Sequence, residues 1–425
     1  MTTRSRTGDT IESLREAGRL ALDSMRLQPM RAFLAIAGVV VGIVTVVVVA
    51  SVLANVRNQV ALLFRELGTD NIFAFHLSGD PYSPASESEA QRRPLKPAFA
   101  GDLERLGSAI RDVGVEIIVP NIINGRPVIV RAGASESDTA LLEGISANYL
   151  DIVGAEFTRG RPFTPLEDRD GARVAVLGAN LAQALFGDES GVGRQVNISG
   201  ESYTVVGELA KRRGGFFGEN RQDNQISIPA GAAERRFGVP DRVVLYVRAK
   251  AGRRAEAYAQ TEMILRQLRK LGPDAPDDFN LSTADQIIGA LDQLGARVGL
   301  VTVAFALVSL LIGGIGIANV MIISVTERTR EIGLRMALGA ERRRVRLQFL
   351  LEAATLSGIG GAIGVALSLL IGFALRAVVS EFSAVAPLWA IVAGLVASVT
   401  VGVVAGYLPA RRAARLDPVE ALRYE

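Results

Sequence analysis

Charge vanishes from this sequence in four long stretches, 33–54, 298–325, 354–379 and 388–408, broken only by Arg376 near the end of the third. Each runs for at least about twenty residues, and at about 1.5 Å of rise per residue that length crosses the ~30 Å hydrocarbon core of a bilayer. The pattern predicts four transmembrane helices. Buried core helices of a water-soluble protein are the alternative, and the number of such runs, with three crowded into the C-terminal part of the chain, weighs against it.

Between the first and second runs the hydrophobic period changes. Short segments at 71–75, 116–119, 127–131, 173–177, 195–199, 203–208, 225–228 and 243–248 read as strands, while 179–186 and 253–271 keep helical spacing. Gly200-Glu201 between two alternating runs predicts a hairpin. The order 243–248, helix, 279–282 predicts a β-α-β unit of the split type. A second subdomain is expected over about 140–235, and the Ser/Pro/Glu/Gln-rich stretch 78–97 as a mobile loop. The predicted fold class is a membrane α-helical protein of four transmembrane helices, with a mixed α+β extracytoplasmic domain inserted between helices 1 and 2.

Helical spacing continues past two of the spans. Val56, Val60, Leu63 and Leu67 follow the first, and Ile287, Ile288, Leu291 and Leu294 precede the second. These segments read as outward extensions of the spans, a helical stalk, although amphipathic helices on the domain surface would show the same spacing.

Arginine placement sets the orientation. Arg4, Arg6, Arg15, Arg19, Arg26 and Arg31 precede the first span. Arg328, Arg330, Arg335, Arg342, Arg343, Arg344 and Arg346 lie between the second and third, and Arg411, Arg412, Arg415 and Arg423 follow the fourth. The link 380–387 has no basic residue. Both termini and the segment 326–353 are therefore predicted cytoplasmic, giving an N-in, C-in chain with 55–297 outside. The divisions expected are a cytoplasmic amphipathic segment 1–32, the spans, the outer domain 55–297, a cytoplasmic loop 326–353 and a tail 409–425. The first apolar run exceeds the about 7–15 residues of a cleaved signal peptide, so an uncleaved signal anchor is expected.

Composition narrows the chemistry. With 49% hydrophobic and 21% charged residues and a mean hydropathy of +0.28, the chain suits a membrane protein with a large soluble part. A net charge of +3, with no basic run interleaved with aromatics, excludes nucleic acid as a partner. The absence of cysteine removes disulfides, thiolate metal sites and cysteine nucleophiles. His76 is the only histidine and no G-x-S-x-G accompanies it, so no Ser-His-Asp arrangement is available; it follows the strand 71–75 and reads as structural. No G-x-x-x-x-G-K-[ST] occurs, and none of Lys96, Lys211, Lys250 and Lys270 follows a glycine, which excludes a P-loop within this sequence. Glu167, Asp168 and Asp170 after Pro165 read as a solvated turn. No catalytic residue and no metal ligand is predicted, and the outer domain shows no readable pocket. The spans lack the Asp, Glu or Lys of ion-coupled carriers, and Arg376, with Glu381 nearby, reads as snorkelling to the interface. The energy source is therefore expected on another polypeptide.

The segment Thr326-Glu327-Arg328-Thr329-Arg330-Glu331-Ile332-Gly333-Leu334-Arg335-Met336-Ala337-Leu338-Gly339-Ala340 is a charged helix that Gly333 and Gly339 are expected to break, followed by a basic amphipathic helix over 342–351. Small residues that let it seat in a groove, with arginines to pair with acids, suit a docking element. A polybasic loop lying on anionic membrane lipid is the other reading of the same residues. Clusters of small residues in the second span (Gly313, Gly314, Gly316) and the third (Gly360, Gly361, Gly364) mark close helix packing, within one subunit or across a dimer seam.

These residues closely resemble the MacB-like branch of the FtsX family of ABC permeases. The likeness rests on 326–340 with Gln348-Phe349-Leu350-Leu351-Glu352-Ala353, on the ending Pro409-Ala410-Arg411-Arg412 through Asp417-Pro418-Val419-Glu420-Ala421-Leu422, and on Arg31-Ala32-Phe33-Leu34 leading to Gly38 and Gly42, then Leu67-Gly68-Thr69-Asp70-Asn71. In the outer domain Gly160-Arg161-Pro162-Phe163, Leu185-Phe186-Gly187 and Val205-Val206-Gly207 resemble that family's periplasmic core. The resemblance implies a multi-pass protein of the bacterial cytoplasmic (inner) membrane, acting as a homodimer or beside a paralogous permease, with an ABC ATPase subunit that carries ATP and Mg. It implies no cofactor in this chain, a possible periplasmic adaptor, and ATPase coupling through Glu327, Arg330, Glu331, Gly333, Arg335, Gly339 and Ala340. It implies mechanotransmission, in which ATPase motion reaches the outer domain without substrate crossing the bilayer, for export or extraction of a hydrophobic or peptide-like substrate. A lipoprotein-releasing permease and a non-transporting regulator of a cell-wall hydrolase are the alternatives. MacB itself carries a fused N-terminal ATPase, so here a separate ATPase is expected.

Overall fold

A computed structural model describes residues 29–66, 70–77, 87–120, 122–123, 126–212, 220–238, 242–378 and 386–422. Residues 1–28, Leu67 to Thr69, 78–86 of the loop 78–97 and Glu381 lie outside them, and with them Arg4, Arg6, Arg15, Arg19 and Arg26 before the first span and the Arg376–Glu381 proximity. The chain forms two compact units, one of residues 57–291 and one made by the segments on either side.

The first long helix, α1 (Pro29–Glu66), carries the first span and continues without a break to the edge of the inserted unit. That unit then runs β1 (Asn71–Phe75), α2 (Glu87–Ala90), α3 (Phe99–Leu106), β2 (Ile110–Ile118), β3 (Ile122–Ile123), β4 (Arg126–Pro127), β5 (Val130–Ala132), β6 (Ser135–Ser137) and β7 (Leu141–Ile145). It continues through α4 (Tyr149–Ile152), β8 (Phe157–Gly160), α5 (Pro165–Asp170), β9 (Val174–Leu177), α6 (Ala179–Phe186), β10 (Gln195–Ile198) and β11 (Glu201–Leu209). It closes with β12 (Gln225–Pro229), α7 (Ala230–Phe237), β13 (Val243–Ala249), α8 (Arg254–Leu268) and β14 (Asn280–Thr283).

Among the described residues the main sheet has the order β14-β1-β13-β2-β7-β12-β9-β11-β10-β5-β6, with β8 on β11. β13 and β14 both lie antiparallel to β1, one on each side, so the β13-α8-β14 unit is split by β1 as its sequence predicts. The segment expected as a second subdomain instead extends the same sheet beyond β2, because β7 pairs with β2 and β12 with β7. Both faces of the central strands are covered. Along β1, Ile72 and Ala74 enter the core beneath α3 and α8, while Phe73 and Phe75 enter a second core with Tyr149 and Tyr246. The hairpin β10–β11 turns on Ser199-Gly200, one residue earlier than predicted: Ile198 pairs with Glu201, and Ser199 and Gly200 take φ of 48° and 99°. Two positive φ values define a type I′ turn, whose twist suits the strands.

The helical unit holds α9 (Ala284–Glu327), α10 (Thr329–Ala337), α11 (Arg342–Val378), α12 (Leu388–Ala413) and α13 (Pro418–Leu422). With α1, the helices α9, α11 and α12 are each long and apolar enough to cross a membrane. The basic stretch 342–351 is not a separate helix but the opening turns of α11, since no glycine or proline interrupts it before the apolar run. The helices meet backbone to backbone. A Cβ at Gly313 would lie 2.8 Å from the Val39 nitrogen, one at Gly316 2.7 Å from the Ala35 Cα, and one at Gly364 3.1 Å from Ile43. Gly314 faces Val401 at 3.2 Å, Gly360 faces Val39 at 3.3 Å, and Gly361 abuts Ser398. All six small residues singled out in the sequence thus face neighbours within the same chain. Leu300, Phe305, Leu311 and Ile315 of α9 are left exposed as an apolar surface.

Candidate functional site

α10 lies between α9 and α11, set off at each end by a residue that is not helical. Arg328, with φ −102° and ψ 14°, separates it from α9. Gly339, with φ +95°, ends it, its N–H donating to the Met336 carbonyl at 3.1 Å while the Ala340 N–H donates to the Arg335 carbonyl at 3.0 Å. This is a glycine-dependent C-terminal cap. Gly333 does not break the helix as its sequence suggested; it lies in the middle of α10, and the break falls at Arg328.

One side of α10 is buried through Thr329, Ile332 and Gly333. The other carries Arg330, Glu331, Leu334 and Arg335, with Leu338 just beyond, all exposed; Leu338 is 81% exposed and Leu334 51%. Glu327 is exposed at the end of α9, and Ala340 is partly covered. Glu331 pairs with Arg335 one turn on, and Arg335 also donates to the Gln348 side chain of α11 at 3.2 Å. The seven residues tied by resemblance to ATPase coupling are therefore divided by the structure. Glu327, Arg330, Glu331 and Arg335 present side chains outward, Gly333 faces inward, and Gly339 and Ala340 form the cap. A Cβ at Gly339 meets nothing of this chain within 4 Å, so within the chain it is the positive φ that calls for glycine here.

Two features here lie within the motifs that carry the resemblance, but neither is singled out as a site by the sequence. Glu352, at 2% exposure, is buried in α11 and lies 3.5 Å from the Arg328 guanidinium, so a charge pair fastens the start of α10 to the third long helix. Its place in the 326–353 loop hid it, because α11 begins well before the apolar run. The short helix α13 packs on α10, with Ala421, at 2% exposure, against Gly333.

The inserted unit holds its own buried polar cluster. Glu116 accepts from the Tyr246 hydroxyl at 2.6 Å and Glu143 from the Ser227 hydroxyl at 2.5 Å. Burial, and then the charge of Glu116, pushes the Glu143 carboxyl up to about 8, and burial raises Glu116 as well. A cavity of about 310 Å³ is lined by both glutamates together with Gln222, Gln225, Arg242 and Leu142, where the sequence had shown no pocket. Glu167 also departs from its expected place in a solvated turn. It closes a capping box with Thr164 on α5 and takes both Arg161 nitrogens at 2.8 Å, which holds its carboxyl down at about 2. Asp168 beside it is partly buried and accepts the Ala147 N–H at 3.0 Å, and burial raises its carboxyl.

The two ends of the inserted unit meet at one place. β14 runs directly into α9 through a reciprocal cap, Thr283 N–H to the Gln286 side chain at 3.0 Å and Gln286 N–H to the Thr283 hydroxyl at 3.3 Å. At the other end Phe64 of α1 begins an edge-to-face aromatic chain to Phe73, Tyr246 and Tyr149, with centroid separations of 5.6, 5.3 and 4.9 Å. Ile72, at the start of β1, pairs with Thr283, at the end of β14.

Residues 32–261 match the sequence model of the MacB-like periplasmic core domain, and residues 303–418 that of the FtsX-like permease C-terminal domain. The chain is 34% identical over 422 residues to the pyoverdine export ATP-binding/permease protein PvdT of Pseudomonas fluorescens, covering 98% of this chain and 60% of that protein. It is 30% identical over 423 residues to the macrolide export ATP-binding/permease protein MacB 2 of Aeromonas hydrophila, covering 98% and 62%. The chain thus spans about three fifths of the length of the curated relatives it matches. Among solved structures, the periplasmic region of MacB from Actinobacillus actinomycetemcomitans aligns with 54% of this chain and 95% of its own at 19% identity and a TM-score of 0.44.

Proposed function

Because this chain belongs to the MacB-like, FtsX-type ABC permeases, we propose that it is the membrane subunit of an export system whose ATP and Mg chemistry resides in a separate ATPase bound to the exposed side of α10. ATP-driven closure of the ATPase displaces α10, and the long helices pass the displacement to the inserted domain on the opposite side of the membrane. The chain is N-in and C-in, paired with a second copy or a paralogous permease, and a periplasmic adaptor completes the path in cells with an outer membrane. The cargo is a hydrophobic or peptide-like molecule handled outside the bilayer, in keeping with the names of relatives that export pyoverdine or a macrolide.

One observation carries this reading. Helices α1 and α9 enter the inserted unit at the same end of neighbouring strands, with the aromatic chain at one junction and the reciprocal cap at the other. A relative shift of two helices fixed there acts on the sheet as a lever, since packed elements move as bodies rather than deforming smoothly. The buried hydroxyls of Ser51, Thr302, Ser357, Ser368 and Ser398 in the long helices donate back to carbonyls of their own helix at 2.6, 2.8, 3.0, 2.7 and 2.8 Å, in keeping with cargo that is handled outside the bilayer.

The test uses the absence of native cysteine. A nitroxide is placed on Glu136→Cys, on the exposed edge strand β6, in the complex with its ATPase. The label-to-label distance between copies is expected to change when ATP is trapped with vanadate. An unchanged distance in a complex that binds and hydrolyses ATP would overturn mechanotransmission.

A further inference from the structure

The segment that follows the fourth long helix takes no part in the reading above, yet it is tightly fitted to α10. After α12 the chain turns, the Ala414 N–H donating to the Ala410 carbonyl at 3.1 Å, and Asp417 starts the last helix by accepting the Val419 N–H on its side chain at 2.8 Å and the Ala421 N–H on its carbonyl at 2.9 Å. Ala421 is thereby delivered onto Gly333. A Cβ placed on Gly333 would lie 2.5 Å from the Ala421 Cβ, closer than two methyl carbons approach, so glycine at one position and a small residue at the other are matched. A groove of about 300 Å³ opens beside this contact, between Val325, Thr329, Pro409, Arg412, Leu416 and Glu420.

The mechanical situation of α10 gives this contact a role. The helix has nine residues, too few to be stable alone in water, and both its ends are non-helical joints, at Arg328 and Gly339. A force on its exposed side could be absorbed by rotation at those joints. Two contacts oppose that on the α11 side, Arg328 with Glu352 and Arg335 with Gln348. On the remaining side stands α13.

We propose that α13 is a positioning element, in which Ala421 seated on Gly333 makes α10 and the end of α12 one moving part, so that displacement of α10 reaches the fourth long helix directly. The proposal rests on the reading of α10 as the ATPase-bearing helix. It makes Gly333 and Ala421 positioning residues rather than contact residues.

The test is a size exchange in the full chain, produced with its ATPase and reconstituted in nanodiscs, reading both the amount of ATPase retained and the permease-stimulated rate of ATP hydrolysis. Gly333→Ala is expected to lower the stimulated rate about tenfold at unchanged ATPase stoichiometry, and Ala421→Gly added to the same chain to restore it to within about twofold. Ala421→Gly alone, which adds no bulk and keeps the helix free of clash, is expected to lower the rate severalfold. It carries the test where Gly333→Ala fails to accumulate in the membrane. An unaltered rate in both single variants, or a double variant no better than Gly333→Ala, would overturn the proposal while leaving ATPase docking in place. Failure of the unaltered chain to retain any ATPase would overturn both.

Discussion

Glu143 and Glu116 sit side by side in the inserted unit, and the energetics of that pair follow from burial. A carboxyl whose pKa rises from 4.5 to about 8 on folding keeps its proton across the interval in which the unfolded chain has already lost it. Its contribution to stability is complete below about pH 4.5 and declines as pH rises through about 8. The protease-resistance midpoint of the inserted unit, read in the full chain, should therefore fall across that window, and Glu143→Gln should flatten the fall, leaving the part that belongs to Glu116. An unchanged slope in the variant would show that the proton is held elsewhere. Gly339 gives a second residue-scale expectation. Its φ of +95° with open space around it means that Gly339→Asn should be tolerated better than Gly339→Val, which costs about 1–3 kcal/mol of local strain. Permease-stimulated ATP hydrolysis should rank glycine, asparagine, valine, and equal activity of all three would remove the backbone argument. Neither glutamate was legible beforehand, because each occupies one polar position in an otherwise ordinary strand, and partners as distant in sequence as Tyr246 and Ser227 decide its burial.

At the scale of elements, the spans were legible because twenty apolar residues are a long signal, and the strands at 71–75 and 225–228 because β-branched and aromatic residues cluster there. Boundaries were less so. The extension of α1 to Glu66 was legible as a stalk, but the joining of 342–351 to α11 was not, because no glycine or proline stops that helix at the charged stretch. The strand expected over 127–131 divides between β4 and β5, while the three-residue edge strand β6 and strands that complete a sheet only through distant partners, such as β7, left too little pattern to read. The small residues of α9 and α11 showed that close packing occurs but not against what. Their partners are Ala35, Val39, Ile43, Ser398 and Val401 of the same chain. Gly316→Leu should accordingly destabilise the helical unit by about 1–3 kcal/mol or more through overpacking against α1. The check is the detergent-solubilised aggregation temperature, which should drop; an unchanged value would mean that α1 can move aside at no cost.

For the whole molecule, the family, the four long apolar helices and the mixed inserted domain were readable from motifs that the structure brings together: Gly160-Arg161-Pro162-Phe163 pairs with Val205-Val206-Gly207, the Arg161 N–H donating to the Val206 carbonyl at 2.9 Å. The role of the C-terminal segment was not, since a five-residue helix announces nothing until its neighbour is known. Force enters at α10 in this account, which seats the ATPase against the exposed Leu334 and, just beyond the helix, Leu338. The most direct measurement is co-purification of the tagged chain from native membranes, comparing the unaltered protein with Leu334→Asp/Leu338→Asp at matched membrane levels. The account predicts a stoichiometric ATPase with the unaltered chain and its loss from the double variant. An unaltered chain recovered without an ATPase, or a double variant that retains it in full, would contradict it.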